Sequence, residues 1–265
     1  MAPKARSKNQ PGPVALPPVT LSEEDGVRYL HLDSIWIQGG MRIKKPQVVE
    51  IDYVQRMLAS LLWLPTEMMG QGQAVQLGLG AGAITRFTAV QLKMATTAVE
   101  INPQVIAANT SHFHLPAAAE VVRGDAADWL AQATPASVRL LHVDLYDQEA
   151  AAPVLDDEIF YSACRSVLEE GGLMSVNLFG RHASFHDSIV RIAAAFGSQQ
   201  VWSLRPTREG NTVVVAGRGV VVPDRQVLSA RAAVIEERFG ALGLPARKWL
   251  RMVRPYKELP DFPPF

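Results

Sequence analysis

The middle of the chain alternates between short apolar stretches and longer stretches whose apolar residues recur at helical spacing. The apolar stretches are VQLGLG, TAVEIN, AEVVRGD, RLLHVDLY and LMSVNLF, with helical segments such as PQVIAANTSHF and DDEIFYSACRSVLEE between them. Strands that alternate with helices favour a parallel sheet covered on both faces. We therefore predict an α/β fold built on a doubly wound, mostly parallel sheet. The last of these helices is predicted to end at Gly171–Gly172.

Different patterns precede and follow this region. VRYLHLDSIWIQ alternates as a strand does, and Asp25–Gly26 before it is a hairpin-turn signal. These features predict a small N-terminal β domain at residues 20–48, after a disordered tail at residues 1–19. Residues 49–265 are predicted to form a second, larger domain that contains the alternating region. QQVWSLRP and NTVVVAGRG are expected to form an antiparallel hairpin at the edge of its sheet.

Composition narrows the class of protein. The 265 residues include 26 Lys and Arg and 26 Asp and Glu, and the resulting net charge of zero argues against a nucleic-acid partner. No stretch has the roughly 20 apolar residues that cross a bilayer, so no membrane partner is expected. The single cysteine, Cys164, lies in a helical pattern and suits a reducing compartment. A cytoplasmic protein is therefore predicted.

A glycine-rich turn follows the first strand of the alternating region. Gly78, Gly80 and Gly82 precede a helix, and glycine allows both a tight turn and a close approach of backbone to a ligand. Glu100 ends the next strand, where its carboxylate can accept both ribose hydroxyls, and Ile101 beside it belongs to the same predicted site. This order predicts a nucleoside site. A purely structural turn and an NAD site, which shares the GxGxxG pattern, are the alternatives.

A third acidic position follows the third strand. Asp125 stands in GDA, at the strand end that lies beside the same crevice in a doubly wound sheet. Its carboxylate can accept from the exocyclic amine of adenine, while Ala126 offers a backbone amide. The alternative is that Asp125 caps the helix that begins at AADWL. Both roles can hold at once.

A pair of carboxylates follows the most apolar strand. Asp144 and Asp147 in DLYD are expected to emerge at the C-terminal end of RLLHV, above the crevice. Paired carboxylates attract an ammonium group and can accept a proton from it. An amine nucleophile needs this, because it must be deprotonated before it attacks carbon. A solvated loop between strand and helix is the structural alternative.

Taken together, these segments resemble the spermidine synthase (polyamine aminopropyltransferase) family, which shares the class I fold of S-adenosylmethionine-dependent methyltransferases. The resemblance runs from about Gly26 to Gly217. YLHLDSIWIQGG resembles the family's β segment with its ligand-contacting glutamine, here Gln38, and EIDYVQRMLASLLWLP resembles its substrate-site tyrosine and helix, here Tyr53. GLGAGA stands where the family has GGGDGG, and VEIN stands where it has VEID. GDAADWL stands where the family has GDG or GDA followed by an aromatic residue, and DLYD stands where it has D-x-x-D. EIFYSACRSVLEEGGLMSVNL resembles the EFY…L-x-P-G-G-x-x-x-x-Q segment.

The resemblance implies a Rossmann-like fold of the class I methyltransferase type with an antiparallel terminal hairpin. It implies transfer of an aminopropyl group from decarboxylated S-adenosylmethionine to a polyamine such as putrescine. Asp144 would be the base, Tyr53 and Asp147 would position the amine, and Gln38 would contact the donor. No metal and no tightly bound cofactor is expected, because a sulfonium is already an activated leaving group. A homodimer is expected from the family.

The chain also departs from the family pattern. Ala81 replaces the aspartate of GGGDGG, which in the family holds the amine end of the donor, and Asn102 replaces the second acid of VEID. These changes leave two alternatives open: an S-adenosylmethionine-dependent methyltransferase of unknown acceptor, and an inactive homologue that binds adenosine-type ligands. An NAD-dependent oxidoreductase is less favoured, because no Tyr-x-x-x-Lys or His–Arg pattern for hydride transfer is found.

Overall fold

The computed structural model describes residues 16–146, 155–179 and 183–256, and these residues form two β-sheets. The small sheet is antiparallel and consists of β1 (Val19–Glu24), β2 (Val27–Leu32) and β3 (Gly39–Arg42). The large sheet has eight strands: β4 (Gln73–Leu77), β5 (Ala95–Glu100), β6 (Ala119–Arg123), β7 (Val138–Val143), β8 (Leu168–Phe179), β9 (Val201–Leu204), β10 (Asn211–Gly217) and β11 (Val253–Pro255).

The order of strands in the large sheet is β11–β9–β10–β8–β7–β4–β5–β6. Strands β4 to β8 run parallel, and the chain reverses its direction of winding at β4, which pairs with β5 on one side and with β7 on the other. The predicted doubly wound, mostly parallel α/β fold is therefore confirmed. The predicted hairpin of β9 and β10 is antiparallel, but β11 pairs with β9 outside it, so the hairpin does not form the edge.

Helices cover both faces of the large sheet. Successive residues of a strand point to opposite faces, so Leu140 packs with one group of helices and Leu141 with the other. Among the helices in the described ranges, none is long and apolar enough to cross a membrane. The helices are α1 (Asp52–Met57), α2 (Ala83–Arg86), α3 (Pro103–His112), α4 (Ala126–Gln132), α5 (Glu158–Val167), α6 (Ala183–Phe196), α7 (Arg225–Phe239) and α8 (Ala246–Leu250).

Helix α5 ends earlier than its sequence suggests. The prediction that it reaches Gly171–Gly172 is wrong, because the helix stops at Val167 and the glycines lie inside β8. The Arg218 guanidinium donates to the carbonyl oxygens of Ser166 at 3.1 Å and Leu168 at 2.7 Å, and so satisfies acceptors that the helix end leaves open. An arginine distant in sequence thus takes the place of a glycine cap.

The small sheet packs on the turn that follows β4. Asp25 and Gly26 both have positive φ and join β1 to β2, as the hairpin signal predicts. At the start of β3, a Cβ added to Gly39 would lie 2.8 Å from the Cβ of Ala81. The two backbones therefore approach as closely as their side chains allow. The domain boundary at residue 48 stays a prediction, and residues 1–15 of the predicted tail lie outside the described residues.

Candidate active site

A cavity of about 630 Å³ opens at the C-terminal ends of β4, β5, β6 and β7. Parallel strands end at the same edge of a sheet, so the residues that follow them meet there. Tyr53 and Gly82 are not among the lining residues, and Asp147 lies outside the described residues. The predicted site residues that line the cavity are Gln38, Gly78, Gly80, Glu100, Ile101, Asp125, Ala126 and Asp144.

The glycine turn is pressed against the segment that follows β7. The Asp144 amide donates to the Leu77 carbonyl at 2.9 Å, which brings the ends of the two strands together. Gly78 has φ +85°, and a Cβ there would overlap the carbonyl oxygen of Asp144. A Cβ at Gly80 would lie 2.9 Å from the carbonyl oxygen of Gln38. Glycine is thus required at 78 both by backbone conformation and by space.

Three side chains hold the turn from behind. Gln76 Nε2 donates to the Gly78 carbonyl at 2.7 Å, and Asn109 Nδ2 donates to the Gly80 carbonyl at 2.7 Å. The Arg86 guanidinium donates to the Ala81 carbonyl at 2.6 Å. Burial lowers the pKa of Arg86 to about 10, which still leaves it charged at neutral pH. With its carbonyls bound on this side, the turn keeps a fixed shape facing the cavity.

Gly82 belongs to this support rather than to the cavity wall. It adopts φ +65°, and a Cβ there would lie 2.5 Å from Oδ1 of Asn109. Ala81 beside it is 4% exposed and packs in the apolar cluster with Leu30 and Met41. Position 81 therefore contributes a buried methyl group where the resembling family has a carboxylate.

Glu100 is held by the backbone of the turn. Its Oε2 accepts from the Leu79 amide at 3.0 Å, and its Oε1 accepts from the Asn102 amide at 2.8 Å. Burial raises the pKa of this carboxyl, while the backbone amides of Asn102, Leu79 and Ile101 oppose the rise. Each carboxylate oxygen has a second acceptor position. The geometry is compatible with the predicted contact to a ribose.

Asp125 caps helix α4. Its Oδ1 accepts from the Ala127 amide at 2.8 Å and from the Asp128 amide at 3.2 Å, as an N-cap residue does. The capping alternative is therefore confirmed. Asp125 and Ala126 also line the cavity, and their contact with adenine stays a prediction.

Asp144 lies where two hydrogen-bond donors converge. Its Oδ1 accepts from Asn177 Nδ2 at 2.9 Å, and its carboxylate also accepts from the Tyr53 hydroxyl, which lies 3.5 Å from the Gln38 carbonyl oxygen. Burial raises the pKa of Asp144 to about 6, and both donors oppose that rise. Burial also raises the pKa of Tyr53 well above its usual value, so its hydroxyl stays protonated. The arrangement suits a carboxylate that accepts a proton near neutral pH.

Two polar residues of the site were not predicted from the sequence. Asn177 is 3% exposed, and Tyr146 lines the cavity and donates from its hydroxyl to the Asn177 carbonyl at 2.8 Å. A polar amide inside the apolar strand LMSVNLF is the signal that could have revealed Asn177. It also stands where the resembling segment ends in glutamine. Within the described ranges, no cluster of three His, Cys, Asp or Glu side chains could hold a metal ion.

The chain is similar in sequence and in fold to known proteins. No protein-family model matches the chain. The polyamine aminopropyltransferase of Chromobacterium violaceum is 31% identical over 240 residues, which cover 89% of this chain and 90% of the relative. A probable spermidine synthase from Corynebacterium glutamicum has a TM-score of 0.68 at 18% identity, over 88% of this chain and 90% of its own. Human methyltransferase-like protein 13, solved with SAH, has a TM-score of 0.65 at 20% identity, over 72% of this chain and 93% of its own.

The contact between Gly78 and Asp144 yields a stability prediction. Gly78→Ala should lower the free energy of unfolding by about 3 kcal/mol or more, because the methyl group meets a carbonyl oxygen as well as an unfavourable φ. Gly26→Ala is the matched control: Gly26 has φ +75° with no atom within 4 Å of an added Cβ, and it should lose only about 1 kcal/mol. Urea unfolding measures both. Equal losses would show that the turn does not press on Asp144.

Proposed function

We propose that this chain, which belongs to the polyamine aminopropyltransferase family, transfers an aminopropyl group from decarboxylated S-adenosylmethionine to a polyamine. Membership of the family makes the chain a transferase. The observation that supports aminopropyl transfer is the position of Asp144. Its carboxylate lines a cavity that also holds the glycine turn, Glu100 and Asp125, and it accepts hydrogen bonds from Tyr53 and Asn177.

The adenosine half of the donor would occupy the cavity between the glycine turn and α4. Glu100 would accept from the ribose hydroxyls, and Gln38 would contact the donor from the opposite wall. Asp125 would accept from the exocyclic amine of adenine, and the Ala126 amide would donate to the ring. Ile101 lines the cavity and is 48% exposed, so it offers an apolar surface to the base.

The chemistry needs alignment and one proton acceptor. The lone pair of the amine forms a bond to the carbon beside the sulfonium, and the carbon–sulfur bond breaks with its electron pair on sulfur. The sulfur leaves as a neutral thioether, methylthioadenosine, and the proton of the amine goes to Asp144. Tyr53 keeps the carboxylate in place from one side, and alignment of the two reactants lowers the barrier without further chemistry.

The acceptor would approach Asp144 from the side of β8 and the small sheet. Phe179 lies two residues after Asn177 on the same face of β8, and the Trp36 ring contacts it edge to face, with centroids 6.3 Å apart. Aromatic faces attract ammonium groups and also pack with methylene chains. This pair therefore suits an alkyl amine. Asp147 is proposed as a second contact to the amine, from the family resemblance.

A methyltransferase is the second candidate, and Ala81 is the observation that favours it. The ammonium of an aminopropyl donor gains no carboxylate at this position, which is closed by packing with Gly39. S-adenosylmethionine itself would then be the donor, and the acceptor would receive a methyl group. An inactive homologue that binds adenosine-type ligands is the remaining alternative. A homodimer is proposed from the family resemblance, and a cytoplasmic location is proposed from the composition of the chain.

Calorimetry with three sulfur nucleosides and NAD tests the donor. Decarboxylated S-adenosylmethionine and methylthioadenosine should bind, while NAD should not, because its anionic pyrophosphate would enter a cavity lined by the carboxyl groups of Glu100, Asp125 and Asp144. S-adenosylmethionine should bind more weakly, since its carboxylate would lie near Asp144. Tighter binding of S-adenosylmethionine would favour the methyltransferase. If none of the three sulfur nucleosides binds, both candidates are wrong.

Asp144→Asn tests the base. The variant should bind methylthioadenosine within about threefold of the wild type, yet its kcat should fall by about 10²- to 10⁴-fold, because the amide cannot accept the proton. Asp187→Asn, on the exposed surface of α6, is the matched control and should change neither value. Steady-state transfer to putrescine and calorimetry provide the measurements. Wild-type turnover in Asp144→Asn would remove this residue from the chemistry.

The raised pKa of Asp144 predicts the acid limb of the pH profile. The carboxylate must be ionised to accept a proton, so activity should be lost as the pH falls through about 6, the pKa that burial gives Asp144. An unperturbed aspartate would place this limb near 4. The limb is read from kcat/KM between about pH 4.5 and 8, after correction for the measured ionisation of the amine. A limb that stays near 4 would contradict the assignment.

A further inference from the structure

We propose that Asn211 is a positioning residue for the reaction, because its donor helps Asp144 to hold the Asn177 amide with the NH₂ group towards the carboxylate. The inference rests on the proposed function, in which Asp144 accepts the proton. It adds a residue from β10, the strand that pairs with β8 on the side away from the cavity strands β4 and β7. No residue of that strand belongs to the site predicted from the sequence.

The contacts form a short chain of hydrogen bonds. Asn177 Nδ2 donates to Asp144 Oδ1 at 2.9 Å, and Asn211 Nδ2 donates to Asn177 Oδ1 at 3.1 Å. The strand register explains the second contact. Asn211 pairs with Phe179 and Val213 pairs with Asn177, so the two asparagines are diagonal neighbours on one face of the antiparallel pair.

The backbone of Asn211 is itself fixed. Its amide donates to the Thr207 hydroxyl at 3.2 Å, and its carbonyl accepts from the Thr207 amide at 2.8 Å. These two bonds close the turn between β9 and β10. The backbone of Asn211 therefore has a fixed position, from which its side-chain amide donates to Asn177.

The chemistry of an amide explains why this matters. An asparagine side chain has nearly the same shape after a 180° flip, but the flip exchanges a donor for an acceptor. With its NH₂ group towards Asp144, Asn177 stabilises the carboxylate. With its oxygen there, it would repel the carboxylate. Asn211 donates to the other end of the amide, so it stabilises the first orientation and opposes the second.

The other described groups near Asp144 have fixed protonation states. Tyr53 on α1 and Tyr146 after β7 stay protonated, because burial raises the pKa of both hydroxyls. His142, two residues before Asp144 on β7, bonds through Nδ1 with the Ser175 hydroxyl at 2.8 Å, and burial lowers its pKa to about 4, which leaves it neutral. In a variant that adds no charge, a change in the titration of Asp144 therefore reports on the amide that touches it.

Two small changes at Asn211 should lower kcat by very different amounts. Asn211→Asp keeps the shape but replaces the donor with acceptors, so the Asn177 amide should flip and kcat at pH 7 should fall at least 30-fold. Asn211→Ala removes the donor without adding an acceptor, and Asp144 alone should keep the amide in place, with a loss of fivefold or less. Gln199→Glu, an amide-to-acid change on the exposed surface, should have no effect.

A double-mutant cycle separates the flip from the added charge. In an Asn177→Leu background no amide can flip, so Asn211→Asp should cost fivefold or less there, compared with at least 30-fold in the wild-type background. Equal costs in the two backgrounds would overturn the proposal. Equal effects of Asn211→Asp and Asn211→Ala in the wild-type background would also overturn it. Thermal melting and methylthioadenosine binding confirm that each variant is folded.

A readout without turnover keeps this inference distinct from the proposed function. Carbon-13 NMR of labelled aspartate, with the Asp144 signal assigned by Asp144→Asn, gives the titration midpoint of that carboxyl. The midpoint should rise by at least about one pH unit more in Asn211→Asp than when the same change is made in the Asn177→Leu background, where only the added charge acts, and by less than half a unit in Asn211→Ala. If the wild type transfers nothing but these midpoints move as expected, the proposed function fails and the positioning by Asn211 stands. A midpoint that rises no more in Asn211→Asp than in the Asn177→Leu background overturns the positioning.

Discussion

The close approach of Gly78 to the backbone of Asp144 is the constraint on which the site depends. Strands β4 and β7 are parallel neighbours, and the amide of Asp144 bonds to the last carbonyl of β4. The turn after β4 must therefore pass over Asp144, and only a residue without a Cβ fits there. The glycine at 78 lets the turn lie against the backbone of Asp144, and in the proposed function the same turn lets a nucleoside approach. The glycine turn and Asp144, the proposed base, therefore pack directly against each other.

Hydrogen bonds within the protein orient the groups around this contact. Gln76, Asn109 and Arg86 hold the carbonyls of the turn, while Tyr53 and Asn177 hold the carboxylate of Asp144. Groups that are already oriented need little rearrangement during the reaction, which is how preorganised sites lower a barrier. The same packing explains the buried methyl group of Ala81, since the small sheet approaches the turn at that point. Position 81 therefore adds no charge to the site, whereas Glu100, Asp125 and Asp144 each bring a carboxyl group to the cavity.

The order of strands and acidic residues could be predicted because parallel strands end at one edge. That rule alone brings the glycine turn, Glu100, Asp125 and Asp144 to one cavity. Contacts between distant segments could not be predicted in this way. Arg218, which follows β10, bonds to the carbonyls at the end of α5, and Asn211 reaches Asn177 only through the register of β8 and β10. Neither contact leaves a periodic signal, because each depends on one side chain meeting one partner across the fold.

A crystal structure of the chain with methylthioadenosine and putrescine would show the proposed site occupied by a nucleoside and an amine together. We predict adenosine between the glycine turn and Asp125, with its ribose on Glu100, and a nitrogen of putrescine within hydrogen-bond distance of the Asp144 carboxylate. We also predict that this nitrogen faces the sulfur of the nucleoside. An adenosine bound outside the cavity, or an amine nitrogen held away from Asp144, would contradict the account.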